Sequence, residues 1–108
     1  MAVTESQKNA DGLARVATGS YITDGTAAAI TITCGFRPRY VLVMNSTSRD
    51  QMEWFDGMTD AHAIKMVAAG TRTAITSLGV TPSASGFIIG LDLDVNVTNE
   101  QLRWVAIA

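Results

Sequence analysis

The chain has one cysteine, one histidine, few lysines and glutamates, and no long apolar run. Each shortage excludes something. A lone Cys34 cannot close an internal disulfide. A lone His62 falls short of the three or four ligands that zinc takes, usually with more His or Cys among them. No serine has a plausible histidine base, no G-x-S-x-G elbow occurs, and no glycine-rich phosphate loop precedes a helix. The expectation is therefore a protein that is not an enzyme and carries no cofactor. The apolar runs are too short to cross a bilayer as a helix, so no membrane partner is expected. Eight Lys and Arg against ten Asp and Glu give a net charge of -2. With no basic patch, nucleic acid is not an expected partner either. Residues 1–11 lack the apolar stretch of a secretory signal, and the expected place of synthesis is a cytoplasm.

What is present is Thr, Ala, Gly and Val, a composition that suits short strands and tight turns better than a helical bundle. With 108 residues and a hydrophobic fraction of 47%, the chain supports one modest core. The clearest stretch is Tyr40-Val41-Leu42-Val43-Met44, entered through Pro38. Tyr40, Leu42 and Met44 point one way, Val41 and Val43 the other, and both sets are apolar. Such a strand is expected at the centre of a sheet, covered above and below.

Around it the chain divides into short apolar segments. Residues 1–12 are a polar N-terminal arm, either frayed or ordered on a neighbouring molecule; a helix from Thr4 lacks an apolar stripe. Leu13 to Ile22 and Thr26 to Thr33 read as strands, and Asp24-Gly25 between them predicts a hairpin. Cys34 continues the apolar set of the second strand and reads as a buried structural thiol. Gln51 to Phe55 is a strand closed by Asp56-Gly57. Ala61 to Val67 and Thr71 to Thr76 are further strands, the latter suited to an edge. Gly79 to Gly86 reads as a loop. Leu91, Leu93, Val95 and Val97 alternate with Asp92, Asp94, Asn96 and Thr98 as a long half-buried strand would. Gln101 to Ala108 is apolar and is expected beside the central strand. The fold class is all-β: one domain over residues 13–108, a β-sandwich or jelly-roll-like barrel.

Few residues suggest chemistry. Asp92 to Asn96 resembles half of a calcium loop, but Val97 stands where the turn glycine belongs and Arg103 where the bidentate glutamate belongs. Period-two alternation explains the run without a metal. Asp56, Asp60 and His62 lie close in sequence and lack a supporting motif. Trp54, Phe55 and Trp104 offer faces for sugar stacking, yet Trp54 and Trp104 read better as core. Phe55 shares a face with Gln51 and Glu53, and its exposure is best explained by a protein neighbour. Asn45-Ser46-Thr47 and Asn96-Val97-Thr98 match the glycosylation pattern, which has no meaning without secretion.

Three segments carry a resemblance. Gly19-Ser20-Tyr21-Ile22-Thr23-Asp24-Gly25-Thr26 runs through Ile30-Thr31-Ile32 into Gly35-Phe36-Arg37-Pro38-Arg39-Tyr40-Val41. Glu53-Trp54-Phe55-Asp56-Gly57-Met58 follows, and the chain closes on Leu102-Arg103-Trp104-Val105-Ala106-Ile107. This resembles small β-rich structural proteins of tailed-bacteriophage virions, with their "GxYxGDGT…I…GFxPxxV" opening and closing aromatic strand. Thr23 departs from the glycine usual in that pattern. The likeness spans most of the chain after Gly19, and the opening is common to capsid decoration proteins and to head- or tail-fibre modules.

The resemblance implies a virion building block, most like a capsid decoration (cement) protein. Such a protein sits on the head surface as a dimer or trimer, with the major capsid protein as its partner. The alternative is a fibre module that binds a host glycan or another virion protein. The residues expected to make contacts are Thr4 and Lys8 in the arm, Arg37, Arg39 and Arg49 flanking the central strand, and Phe55. The arginines offer pairing to an acidic capsid surface; plain solvation explains them equally well.

Overall fold

The computed structural model describes residues 15–23 and 25–108. The contacts expected of Thr4 and Lys8, the arm itself, Leu13 and Asp24 lie outside the described residues. Nine strands follow in order: β1 Val16–Ile22, β2 Ile30–Thr33, β3 Tyr40–Asn45, β4 Asp50–Phe55, β5 Ala63–Met66, β6 Arg72–Ile75, β7 Val80–Ser83, β8 Gly86–Ile89 and β9 Gln101–Ile107. They form two antiparallel sheets, one ordered β1-β9-β3-β4-β5-β6 and the other β2-β8-β7. Both sheets are open, so the all-β fold is sandwich-like rather than a closed barrel.

The core lies between the sheets. Val41 and Val43 of β3, Met52 and Trp54 of β4, and Leu102 and Ala106 of β9 meet Ile30, Val80, Phe87 and Ile89 of the smaller sheet. Each donor strand alternates, because neighbouring strand residues point to opposite faces. Trp54 is buried and Trp104 half-buried. The Trp104 ring meets Phe87 edge-on at 5.3 Å and lies over Gly19, where a Cβ would stand 2.5 Å from it. Gly19 is thus a strand position kept bare for an indole. Cys34 is half-buried against this core.

As the apolar C-terminus suggested, β9 lies beside β3, pairing Tyr40 with Ile107 through Asn45 with Leu102. Its other side pairs with β1 from Val16 with Ile107 to Ile22 with Gln101. The expected hairpin at Asp24-Gly25 is therefore overturned. β1 and β2 belong to different sheets and do not pair with each other. The second strand is also shorter than Thr26 to Thr33. Long-range pairing with β9 outweighed a local turn preference.

Two other expectations fail for local reasons. Gly79 to Gly86 is not a loop: β7 and β8 pair as a hairpin from Val80 with Ile89 to Ser83 with Gly86. Pro82 fits because β7 is an edge strand, where a missing N–H costs no ladder bond. Leu91 to Thr98 is not a strand but a turn-rich connection. The Asp92 carboxylate accepts the N–H groups of Asp94 (3.0 Å) and Val95 (3.2 Å), and the Asn96 N–H donates to the Asp92 carbonyl at 2.8 Å. Such side-chain-to-backbone bonds compete directly with a sheet ladder.

Buried asparagines tie this connection down. Asn45 Nδ2 donates to the Val95 carbonyl (2.9 Å) and to Glu100 Oε1 (2.8 Å). Its Oδ1 accepts the N–H groups of Thr47 and Ser48, both at 2.9 Å. Asn96 Nδ2 donates to the carbonyls of Ala28 (2.9 Å) and Gly90 (3.1 Å). Removing such a satisfied amide leaves several backbone groups buried without partners.

The turn at residues 92–96 separates two apolar neighbours that a strand would have placed alike. Leu93 is 78% exposed while Val95 is fully buried. Chemical denaturation of the variants should show Leu93→Ala within about 0.5 kcal/mol of the parent and Val95→Ala less stable by about 2 kcal/mol. Asn45→Ala should cost about 3 kcal/mol.

Candidate functional site

The larger sheet has a second face. Directly paired residues share a face, and the registers place Val16, Ile107, Tyr40 and Phe55 in one row across β1, β9, β3 and β4. Thr18, Val105, Leu42, Glu53 and Ile64 form the next row, and Ser20, Arg103, Met44, Gln51 and Met66 the third. This corrects the expectation that β3 is covered above and below. Val41 and Val43 are buried, but Tyr40 and Leu42 are only half-buried and Met44 is exposed. A sheet face apolar over this much of its area is an unusual thing to leave toward solvent.

The face has relief. Phe55 is 49% exposed and Val16 59%. The Phe55 ring, at the end of β4, meets the Tyr40 ring edge-on at 5.1 Å. On the other side of β3 lies an open depression of about 200 Å³, lined by Leu42, Met44, Arg103, Trp104 and Val105. Its lining is mostly apolar, with Arg103 the one charged residue in it.

Charge is sparse on this face and placed asymmetrically. Glu53 on β4 accepts a 2.7 Å hydrogen bond from the Tyr40 hydroxyl, and Arg103 on β9 is exposed. Burial of the phenol, helped by its hydrogen bond to the Glu53 carboxylate and the charge there, pushes the Tyr40 pKa up to about 12. At the Phe55 end, Arg39 forms a 3.4 Å ion pair with Asp56 across solvent.

The arginines singled out from the sequence are not one patch. Arg37 and Arg39 precede β3, whereas Arg49 follows it in the turn before β4, at the opposite end of the strand. Arg37 and Arg49 are exposed, and Arg49 adopts a left-handed backbone with φ 67°. Phe55 does lie beside Arg39, through Tyr40 and Asp56. Arg103, Leu42, Met44 and Val105, by contrast, escaped the sequence reading. The signal was there in the two-sided apolarity of β3, but it was read as burial on both sides.

The other candidates stand elsewhere. Among the described residues, no group of three or more His, Cys, Asp or Glu is arranged to hold a metal, Asp56, Asp60 and His62 included. Asp92 and Asp94 already have a cation, the Lys65 ammonium, at 3.1 and 2.7 Å. The bond to Asp94, with that to Asp92, raises the Lys65 pKa against the opposing effect of burial. The acidic half-loop therefore acts as an internal anchor between β5 and residues 92–94. Comparison with protein-family models, curated proteins and solved structures finds no match to this chain.

Tyr40 and Lys65 both hold their protons more tightly folded than unfolded. An unfolded phenol ionises near 10 and the folded one near 12, so the Tyr40 contribution is complete below about 10. It declines as pH rises toward 12; Lys65 acts in the same direction. Alkaline titration followed by phenolate absorbance should show a tyrosine ionising near 12. Glu53→Gln should lower that midpoint, and Tyr40→Phe should remove it and flatten the alkaline loss of stability.

Proposed function

We propose that this chain is a structural protein of a tailed-bacteriophage particle, bound to the outside of the head and reinforcing the capsid lattice. The observation that carries the reading is the uncovered apolar face of the six-stranded sheet. One face of that sheet is core, and the other has the composition of an interface whose partner is another protein. The resemblance of Gly19–Val41, Glu53–Met58 and Leu102–Ile107 to virion structural proteins supplies the setting. The major capsid protein is the proposed partner in the shell.

The physics of the role is additive. A ligand that binds the assembled lattice and not free subunits stabilises the lattice by mass action. A rigid two-layer β-domain suits this, because little conformational entropy is lost when preordered strands dock. Arg37, Arg39 and Arg49, spread over both ends of β3, give charged contacts around an apolar centre. Their share is in orientation and encounter rate more than in affinity.

A second reading has its own observation. The exposed Phe55 ring, set edge-on against the half-buried Tyr40, offers an aromatic face on which a sugar ring stacks, as a fibre module binding a host glycan would use. Copy number separates the two. Quantitative mass spectrometry of purified virions should give a ratio to the major capsid protein near one, or a simple fraction of it. A handful of copies per particle overturns head decoration and points to the tail or a fibre, and absence from the particle overturns both readings.

A further inference from the structure

We infer that the outer face of the six-stranded sheet is a self-association surface, on which a second copy of this chain docks face to face about a twofold axis. The inference shares with head decoration only the premise that protein covers this face.

Three features of the face fit a second copy. The first is shape. A twofold interface is isologous, so a knob and its hole must both lie on the same face, on opposite sides of the axis. Phe55 stands exposed at the end of β4, and the depression lined by Leu42, Met44, Arg103 and Val105 lies between β3 and β9. β3 separates them in the strand order β9-β3-β4. An axis parallel to β3, lying between the stacked sheets, carries the Phe55 ring of each copy to the β9 side of the other, over the row of Ile107 and one row, about 7 Å, from the Leu42 and Val105 at the near end of the depression. An apolar cavity of about 150 Å³ admits a benzene ring, so an open hollow of about 200 Å³ has room for the phenyl group.

The second is charge. Among the described residues, Glu53 is the one carboxylate in the three rows of this face, and it lies on β4. Arg103 lies on β9. The same rotation exchanges the β9 and β4 sides, bringing each Arg103 over the strand that holds the partner's Glu53. The two sites differ by one row, two residues or about 7 Å along a strand, a gap that an arginine side chain can span. Like charges are not forced together in this arrangement.

The third is area. At about 4.8 Å between strands and about 3.3 Å per residue, the span from β1 to β5 over six residues covers on the order of 500 Å². A pair thus buries about 1,000 Å², the lower bound for a specific interface. Aligned sheets pack in this way about 10 Å apart in ordinary sandwiches. The second copy supplies the layer that the β2-β8-β7 sheet supplies on the inner side.

The test is sedimentation velocity on the full chain from about 1 to 100 µM, a range that brackets interfaces of this size. The parent should pass from monomer to dimer. Phe55→Asp should weaken the dimer at least about 30-fold, as loss of a buried aromatic anchor does. Arg103→Glu should weaken it as well, and the double variant Arg103→Glu with Glu53→Arg should recover most of the loss, because both crossed pairs are restored together. Phe55 and Arg103 are exposed, and an unchanged far-ultraviolet spectrum checks that each variant is folded. A monomer throughout the range, a trimer, or a dimer unmoved by Phe55→Asp overturns the inference. A double variant as weak as Arg103→Glu alone overturns the crossed pairing. A monomer that still coats heads at high copy overturns self-association and leaves decoration standing; a dimer missing from particles does the reverse.

Discussion

The insertion of β9 between β1 and β3 is the constraint on which the rest of the molecule depends. Without it β1 has no partner, and β3 has a ladder on one side only. Its inner side chains, Leu102, Trp104 and Ala106, join the core beneath both neighbours. Its pairs with β1 join residues more than 75 positions apart, from Val16 with Ile107 to Ile22 with Gln101. Closing loops of that length costs entropy before any contact repays it, so the fold belongs to the slow, non-local class. It also explains why a strong local hairpin signal at Asp24-Gly25 lost: β1 gains a longer ladder from β9 than the short β2 offers.

A mismatch of sheet sizes follows from the same arrangement. Six strands face three. The small sheet, together with the connection at residues 91–100, covers the inner face, and no third layer covers the outer one among the described residues. The outer face therefore keeps Leu42, Met44, Phe55, Val105 and Ile107 at or near the surface. The polar groups between them are individually managed. Glu53 is held by the Tyr40 hydroxyl, and Asp56 by Arg39. Such a face gives up little on meeting another apolar surface, because few of its polar groups must be stripped of water without compensation.

The connection at residues 91–100 shows how polar side chains set structure in the interior. Asp92 closes its own turn and also holds Lys65. Asn45 and Asn96 reach across to backbone groups left open by the absence of a ladder. These residues look like the wet half of an alternating strand in one dimension. Their role becomes visible only when the distant carbonyls of Val95, Ala28 and Gly90 are brought to them.

Much of the fold was legible in order along the chain. An uninterrupted apolar run marked β3, the division of side chains between two faces marked β4, an apolar C-terminal segment marked β9, glycine and aspartate marked the turn after Phe55, and weak alternation marked β6 as an edge. The burial of Val41, Val43 and Trp54 followed from these patterns, and so did the place of β9 beside β3. The partnership of strands was not legible, since hydrogen-bond register between distant segments leaves no local trace. Nor was the site. An apolar residue in a strand reads the same whether a second sheet or a second molecule covers it, so Leu42 and Met44 passed for core. Sequence alone determined that the chain forms strands, and which side chains share a side of each. Tertiary structure decided which of those sides met the small sheet and which was left outward, because three strands can cover only one face of six.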